Sequence, residues 1–228
     1  MFSMESLAVA FAAFEVAWLL SIPLWQTRLP AGRILAGLGV GWIVAVALIA
    51  WRGYFRLTRE IFPPLELCIG LIGFVAVFLV VASIPAVSTV SRALGARTFV
   101  AIQIFRGLVG AAFLSMASRS WIAPTFGYGV GVVETLVGVT AIALIFAMSR
   151  LDSDRRRRWV LGWSIASTLL LLVGPTLWTL SVPSEWQHFG EGALLSRLSD
   201  FPFALVPAFI WPAALLGNAA LILRDERF

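Results

Sequence analysis

The chain alternates long apolar stretches with short polar segments. Several apolar stretches run for 18 residues or more, about the length that an α-helix needs to cross the hydrocarbon core of a membrane. The sequence therefore predicts an all-α, polytopic membrane helix bundle with seven transmembrane helices. The predicted helices cover Ser6–Trp25, Ile34–Trp51, Leu65–Ile84, Phe99–Ala117, Phe126–Met148, Trp159–Leu180 and Phe201 to the residue before Arg224.

Composition supports one domain. Hydrophobic residues make up 60% of the 228 residues, whereas soluble domains are about 45–50% apolar. No polar segment is long enough to fold separately, so residues 1–228 are expected to form a single transmembrane domain. The connector Arg52–Pro64 mixes arginine with aromatic residues, which is typical of a segment at the membrane interface. Pro175 should kink the sixth helix, and three prolines should distort the last.

The basic residues predict an orientation. All 17 basic side chains are arginine, and with the N-terminus outside and the C-terminus inside, the cytoplasmic segments hold 11 and the outer segments five. This bias agrees with the positive-inside rule. The run Arg155, Arg156, Arg157 and Arg158 is interpreted as a topology determinant that contacts anionic headgroups of membrane lipids. A nucleic-acid partner is not expected.

A charged residue stands in the middle of the fourth and of the fifth predicted helix. Arg106 and Glu134 lie 14 residues before and after Ser120, so a tight hairpin near Ser120 would bring them to the same depth. A charge at the bilayer centre costs about 2.5–3.5 kcal/mol on insertion scales, and such residues normally face inward and pair. Polar and small residues at three- and four-residue steps share a face with them and favour close helix packing. These positions are Gln103, Gly107 and Gly110 on the fourth helix, and Gly127, Gly131, Gly138 and Ala141 on the fifth.

Glu15 lies inside the first predicted helix, at a depth similar to that expected for the Arg106–Glu134 pair. Burial and a nearby like charge would oppose ionisation of one of the two carboxyl groups, which could then bind a proton reversibly. Glu15 could equally pair with a hydroxyl group or water, or remain neutral. Two interpretations of the charged pair also stay open. It is either a structural pair that locks the hairpin, or a site where Arg106, Glu134, Glu15 and Gln103 meet a ligand or a proton.

The last predicted helix carries Pro207, Trp211, Ala214 and Asn218 on one face. Carbonyl groups freed by proline need other partners or water, which is compatible with the wall of a cavity. The same pattern is ordinary for a packed transmembrane helix. Gly131, Trp211 and Asn218 are the residues expected to line such a cavity.

Several chemistries lack the residues that they require. Without lysine the chain cannot form a retinal or pyridoxal Schiff base, and Cys68 is its single cysteine, which excludes an intrachain disulfide or a cysteine metal cluster. The lone His188 cannot form a bis-histidine haem site. No metalloprotease, serine hydrolase or phosphate-loop motif occurs. An enzyme is therefore the less favoured class, and neither a cofactor nor a metal site is expected.

Two segments, about a third of the chain, carry a further pattern: Ile102-Gln-Ile-Phe-Arg106-Gly-Leu-Val-Gly110 continuing to Ala141, and Phe201-Pro-Phe-Ala-Leu-Val-Pro207-Ala-Phe-Ile-Trp-Pro212. They resemble a family of uncharacterised bacterial multi-pass integral membrane proteins. In that family a Phe-Arg pair is followed by a proline-containing turn and a Gly-x-Gly-Asp sequence. Here Arg106 matches, Glu134 replaces the aspartate, and Asn218 stands where the family often has histidine. The resemblance implies a bacterial cytoplasmic (inner) membrane location and importance for Arg106 and Glu134, and it implies no activity.

Two functions of different classes remain. In the first, the protein binds or transports a small polar, anionic or proton-coupled ligand at the Arg106–Glu134 site. In the second, it is a structural or accessory subunit, or an assembly factor, of a membrane protein complex, with other membrane proteins or further copies of itself as partners. Arg106→Ala or Glu134→Gln should abolish ligand binding by a folded protein in the first case. The same substitutions should alter assembly or stability in the second.

Overall fold

The computed structural model describes residues 3–26, 30–57, 94–181, 185–189 and 196–223, together with residues 73 and 76. These residues form helices joined by turns, and no strand occurs among them, so the predicted helical class is confirmed. The helices are α1 (Met4–Gln26), α2 (Pro30–Trp51), α3 (Tyr54–Leu57), α4 (Ala96–Ser118), α5 (Pro124–Met148), α6 (Ser153–Leu171), α7 (Val173–Ser181) and α8 (Trp211–Ile222). A 3-10 turn covers Ser196–Ser199, and a π-helix covers Val206–Ile210 directly before α8.

Five stretches of the described residues are long and apolar enough to cross a membrane. They are Met4–Gln26, Gly32–Trp51, Ala96–Ser118, Pro124–Met148 and Ser153–Ser181. Each corresponds to one of the predicted transmembrane helices. The predicted helix Leu65–Ile84 lies outside the described residues, except for residues 73 and 76, as does the second part of the predicted connector Arg52–Pro64.

Two apolar segments are interrupted, and proline accounts for both interruptions. α6 ends at Leu171 and α7 begins at Val173, because Pro175 has no N–H to donate to the Leu171 carbonyl. In the last apolar segment the regular α-helix begins at Trp211, not near Phe201 as predicted. Residues 201–204 form turns before the π-helix, since the prolines of this segment remove backbone donors.

α2 supplies a partner for one of the carbonyl groups that these prolines leave free. Pro212 cannot donate to the carbonyl of Ala208, four residues earlier in the chain. The Nε1–H of Trp42 on α2 donates to the Ala208 oxygen at 2.8 Å instead. A side chain from another helix thus satisfies a backbone group that hydrocarbon could not.

Contacts between helices show which helix ends lie together. At one end, the start of α1 meets the end of α4, the end of α2 meets the segment before the π-helix, and the start of α5 meets α7. The contacting pairs are Glu5 with Arg119, Trp51 with Phe201, and Phe126 with Trp178. We call this the Ser120 end, after the turn between α4 and α5. The opposite end, which we call the Arg155 end, contains the starts of α2, α4 and α6 and the ends of α1, α5 and α8.

α4 and α5 form an antiparallel hairpin whose backbones approach closely. The tight turn predicted near Ser120 is present, and Ser120 itself has a left-handed φ of 54°. A Cβ atom on Gly138 would lie 2.5 Å from the Cα atom of Gly107, and one on Gly110 would lie 2.5 Å from the backbone nitrogen of Thr135. Both distances are too short for a side chain, so this helix separation requires glycine at both positions.

Candidate functional site

Arg106 and Glu134 form an ion pair in the middle of the hairpin. Arg106 Nε lies 2.5 Å from Glu134 Oε2, and Arg106 Nη2 lies 3.0 Å from Glu134 Oε1. Both residues are buried, with 0% and 2% of their surface exposed. This two-point geometry is the strong form of an arginine–carboxylate interaction. Each carboxylate oxygen accepts one hydrogen bond from the guanidinium.

The other nitrogen of the guanidinium reaches two further side chains. Arg106 Nη1 donates to Ser167 Oγ on α6 at 2.9 Å and to Gln103 Oε1, one turn earlier on α4, at 3.3 Å. A guanidinium has five N–H donors, and side chains of the described residues accept from four of them. Arg106 thus links α4 to both α5 and α6, while Glu134 balances its charge.

α8 joins this arrangement through two amide side chains. Gln103 Nε2 donates to the carbonyl oxygen of Ala214 at 2.9 Å, and Asn218 Nδ2 donates to Ser167 Oγ at 3.0 Å. Hydrogen bonds from four helices, α4, α5, α6 and α8, therefore converge at one place in the bundle, where lipid could not replace them. We call this group the polar cluster; its members are Gln103, Arg106, Glu134, Ser167 and Asn218, all of them buried.

One buried polar atom of the polar cluster and one next to it have no hydrogen-bond partner within the described part of the chain. They are Oδ1 of Asn218 and Oγ of Ser164. Ser164 precedes Ser167 by three residues on α6, so the two side chains lie on one helix face, about 5–6 Å apart. Ser164 and Asn218 are both 0% exposed. A buried polar atom without a partner is costly and calls for a bound water, ion or ligand.

The structure brings most of the polar residues singled out in the sequence to one place. Arg106, Glu134, Gln103 and Asn218 are all members of the polar cluster. Glu15 is not a member: it is partly buried on α1. It is also not among the described side chains that bond to the Arg106 guanidinium.

Gly131 and Trp211, the other two residues expected to line a cavity, both lie where helices pack closely together. A Cβ atom on Gly131 would lie 2.8 Å from Leu114 Cγ, so this glycine lies in the seam between α4 and α5. The Trp211 ring packs against Gly174 on α7, where a Cβ atom would lie 2.4 Å from the ring. Gly131 allows α4 and α5 to approach, and Trp211 Nε1 is buried without a hydrogen-bond partner among the described residues.

Ser164, Ser167 and Glu5 are buried polar residues that the sequence pattern does not single out. The spacing of the two serines is a weak signal, because a serine can lie on any face of a membrane helix. Glu5 is 3% exposed. Its Oε1 accepts a hydrogen bond from Ser115 Oγ at 2.6 Å and lies 3.1 Å from Arg119 Nη1. Glu5 therefore fixes the start of α1 to the end of α4 at the Ser120 end, away from the polar cluster.

No group of three or more His, Cys, Asp or Glu side chains that could hold a metal ion occurs in the described residues. Comparison with protein-family models, with curated proteins and with solved structures found no match for this chain. The interpretation of function therefore rests on the geometry of the polar cluster and of the bundle around it.

Proposed function

We propose that the protein crosses a bacterial cytoplasmic membrane seven times, as a member of the multi-pass family that it resembles. α3 ends with Leu57 at the Ser120 end, and Leu94 precedes α4 at the Arg155 end. These positions at opposite ends support the proposed third crossing by Leu65–Ile84. The 36 intervening residues, 58–93, suffice for one crossing of about 20 residues. With the last apolar segment, the total is seven.

Arginine supports the orientation with the N-terminus outside and the C-terminus inside. Arg150 and Arg155–Arg158 lie at the Arg155 end, whereas Arg52 and Arg119 lie at the Ser120 end. The positive-inside rule then favours the Arg155 end as the cytoplasmic one. Arg157 and Arg158 are exposed, and we propose that they contact the anionic headgroups of membrane lipids.

We infer that the polar cluster is the site at which this protein binds or transports a small polar ligand. One observation carries this proposal: Asn218 Oδ1 and Ser164 Oγ are buried near the paired Arg106 and have no hydrogen-bond partner among the described residues. Each unmet hydrogen bond costs about 1–3 kcal/mol. A cluster that served packing alone would be more stable with an apolar residue at either position. A ligand that supplies the missing hydrogen bonds explains why both polar groups are present.

In this proposal the members of the polar cluster have different roles. Arg106 and Glu134 neutralise each other and hold α4 and α5 in register, so they position the site. Ser167 connects the pair to the ligand, because its Oγ bonds to both Arg106 and Asn218. Asn218 and Ser164 contact the ligand directly.

Thermal unfolding of the purified protein with a panel of amino acids, polyols, small amides and carboxylates tests the proposal. A ligand that binds only the folded protein stabilises it, by about 2.7 kcal/mol at one hundred times its Kd. We expect a stabilising solute whose effect is lost in Asn218→Leu and kept in Ser181→Ala, a buried serine at the end of α7. Stabilisation that survives in both Asn218→Leu and Ser164→Ala would place the ligand elsewhere and contradict the proposal.

A second candidate is an accessory or assembly subunit of a membrane protein complex, or a homo-oligomer. It is favoured by the hydrogen bonds of Arg106, because side chains of the described helices already accept from four of its five N–H donors without a ligand. On α2, Gly37 and Gly41 lie four residues apart, and no atom of the described residues lies within 4 Å of a Cβ at either position, a spacing that lets another helix approach. Under this candidate no solute stabilises the protein. Combining Arg106→Glu with Glu134→Arg would restore the assembly that each single variant loses.

A further inference from the structure

The hydroxyl and amide groups beside Arg106 have hydrogen-bonding capacity left over, and it can be counted. Ser167 Oγ accepts from Arg106 Nη1 at 2.9 Å and from Asn218 Nδ2 at 3.0 Å, so its own proton needs a separate acceptor. Asn218 Oδ1 needs a donor, and the Ser164 hydroxyl has no partner within the described residues. The Ser167 proton, Asn218 Oδ1, the Ser164 hydroxyl and the second N–H of the Asn218 amide are therefore left without a partner among the described residues.

The assignment of the Asn218 amide decides which of these groups are left. The oxygen and the nitrogen of an amide are assigned from the surrounding hydrogen bonds. If they were exchanged, Ser167 would donate to the Asn218 oxygen, and the Asn218 N–H groups would then lack an acceptor. Either orientation leaves one polar atom of this fully buried side chain without a partner.

The charges around these groups are already balanced. Glu134 accepts two hydrogen bonds from Arg106, and the other described partners of the guanidinium, Gln103 and Ser167, are neutral. An anion would add an unbalanced negative charge beside this buried, neutral pair, which is strongly unfavourable away from water. A cation would meet the positive guanidinium. The ligand that fits this neighbourhood is neutral.

We propose that Ser164, Ser167 and Asn218 bind a small neutral molecule that both donates and accepts hydrogen bonds, with water as its simplest form. The molecule donates to Asn218 Oδ1, accepts from the Ser167 hydroxyl, and pairs with Ser164 in either direction. Water meets these needs, since a buried water typically has two to four polar partners. The proposal rests on the proposed function, because it names the ligand class of the same site. An unpaired arginine in a membrane helix would suggest an anionic ligand. The proposal excludes such a ligand here, because Glu134 already pairs with Arg106.

A single residue can report on this site, because Asn218 is the only asparagine in the chain. The full chain is labelled with 15N-asparagine and reconstituted in vesicles of deuterated phosphatidylcholine and phosphatidylglycerol. Solid-state NMR then measures polarisation transfer from water to the Asn218 side-chain amide. We expect a water cross-peak although Asn218 is 0% exposed, and its absence would overturn the proposal.

Serine variants show whether this water belongs to the site. Ser164→Ala removes one partner and is expected to reduce the cross-peak several-fold, and Ser164→Thr, which keeps the hydroxyl, is expected to retain it. Ser181→Ala is the matched control, because Ser181 is also a buried serine with an unpartnered Oγ among the described residues, at the end of α7. An equal cross-peak in the wild type and in Ser164→Ala would contradict the proposal.

Urea and nitrate, two planar probes of similar size, separate a neutral ligand from an anion. If urea replaces the water, it is expected to shift the Asn218 amide signal; if it does not enter the site, the water cross-peak is expected to remain. Nitrate is expected to have no effect on either signal. A shift caused by nitrate would overturn the proposal. A water cross-peak with the expected serine dependence would leave the neutral site intact even if Asn218→Leu and Ser164→Ala both kept the stabilisation by every solute. That second result refutes only the proposed function, so the two proposals fail separately.

Discussion

Arg106 on α4 shares two hydrogen bonds with Glu134 on α5, and its Nη1 donates to Ser167 on α6. These bonds form together only when the α4–α5 hairpin is in register and α6 packs against it. A shift of either helix would separate the charges and expose one of them to hydrocarbon, which is costly. The polar cluster therefore selects one arrangement of the helices, whichever ligand or partner it serves.

The close approach of α4 and α5 gives the first prediction. In Gly138→Ala the new Cβ would lie 2.5 Å from Gly107 Cα, so the helices must separate. We expect a loss of about 1–3 kcal/mol in the free energy of unfolding, measured in bicelles. Gly162→Ala on α6 is the control, because open space surrounds that glycine, and it should be neutral or slightly stabilising. Equal stability of the two variants would show that the hairpin is looser than described.

The start of α6 should depend on pH. The carboxylate of Asp152 accepts a hydrogen bond from the Arg155 backbone N–H at 2.9 Å, and this bond, with the Arg155 charge, lowers the pKa of Asp152 below its ordinary value. Because the pKa is lower in the folded state, the stabilisation is complete above the unfolded pKa and is lost as the pH falls through the folded pKa.

Amide hydrogen exchange in the first turn of α6, corrected for intrinsic rates, measures this effect. Protection should be highest near neutral pH and should fall in acid. Asp152→Asn keeps an N-cap acceptor that does not titrate, so its protection should change much less with pH. The same pH profile in both proteins would assign the effect to another group.

Single cysteines test the orientation. With Cys68 replaced by serine, Ser120→Cys and Ser153→Cys place exposed thiols at opposite ends of α5. An outside N-terminus predicts that Ser120→Cys reacts with a membrane-impermeant maleimide in intact cells, and that Ser153→Cys reacts only after the membrane is disrupted. The reverse pattern would invert the orientation, and labelling of both in intact cells would show that α5 does not span.

The ion pair could be predicted from the sequence because a charged residue inside an apolar helix normally faces the bundle interior and pairs with an opposite charge. The predicted starts of the two helices, Phe99 and Phe126, differ from the observed Ala96 and Pro124 by three and two residues. The glycine spacing also predicted their close packing. These features depend on composition and periodicity, which the sequence carries directly.

Other parts of the site could not be predicted, for reasons that differ from residue to residue. A serine is tolerated on any face of a membrane helix, so Ser164 and Ser167 carry little signal. The position of Glu15 along α1 predicted a depth close to that of Arg106. Depth does not show which face of the helix points to the bundle interior, and Glu15 is not a member of the polar cluster. The start of the last helix was missed because an apolar pattern does not distinguish turns and a π-helix from regular α-helix.

A double-mutant cycle of Arg106→Met and Glu134→Leu tests most directly whether the two charges meet inside the bundle. Glu134→Leu leaves a buried arginine that cannot lose its proton, and should cost about 3–5 kcal/mol in the free energy of unfolding. Arg106→Met should also be strongly destabilising, because it leaves the buried Glu134 carboxylate without its partner. If the charges meet, the double variant costs no more than Glu134→Leu alone. Costs that add to within about 0.5 kcal/mol would contradict the pair.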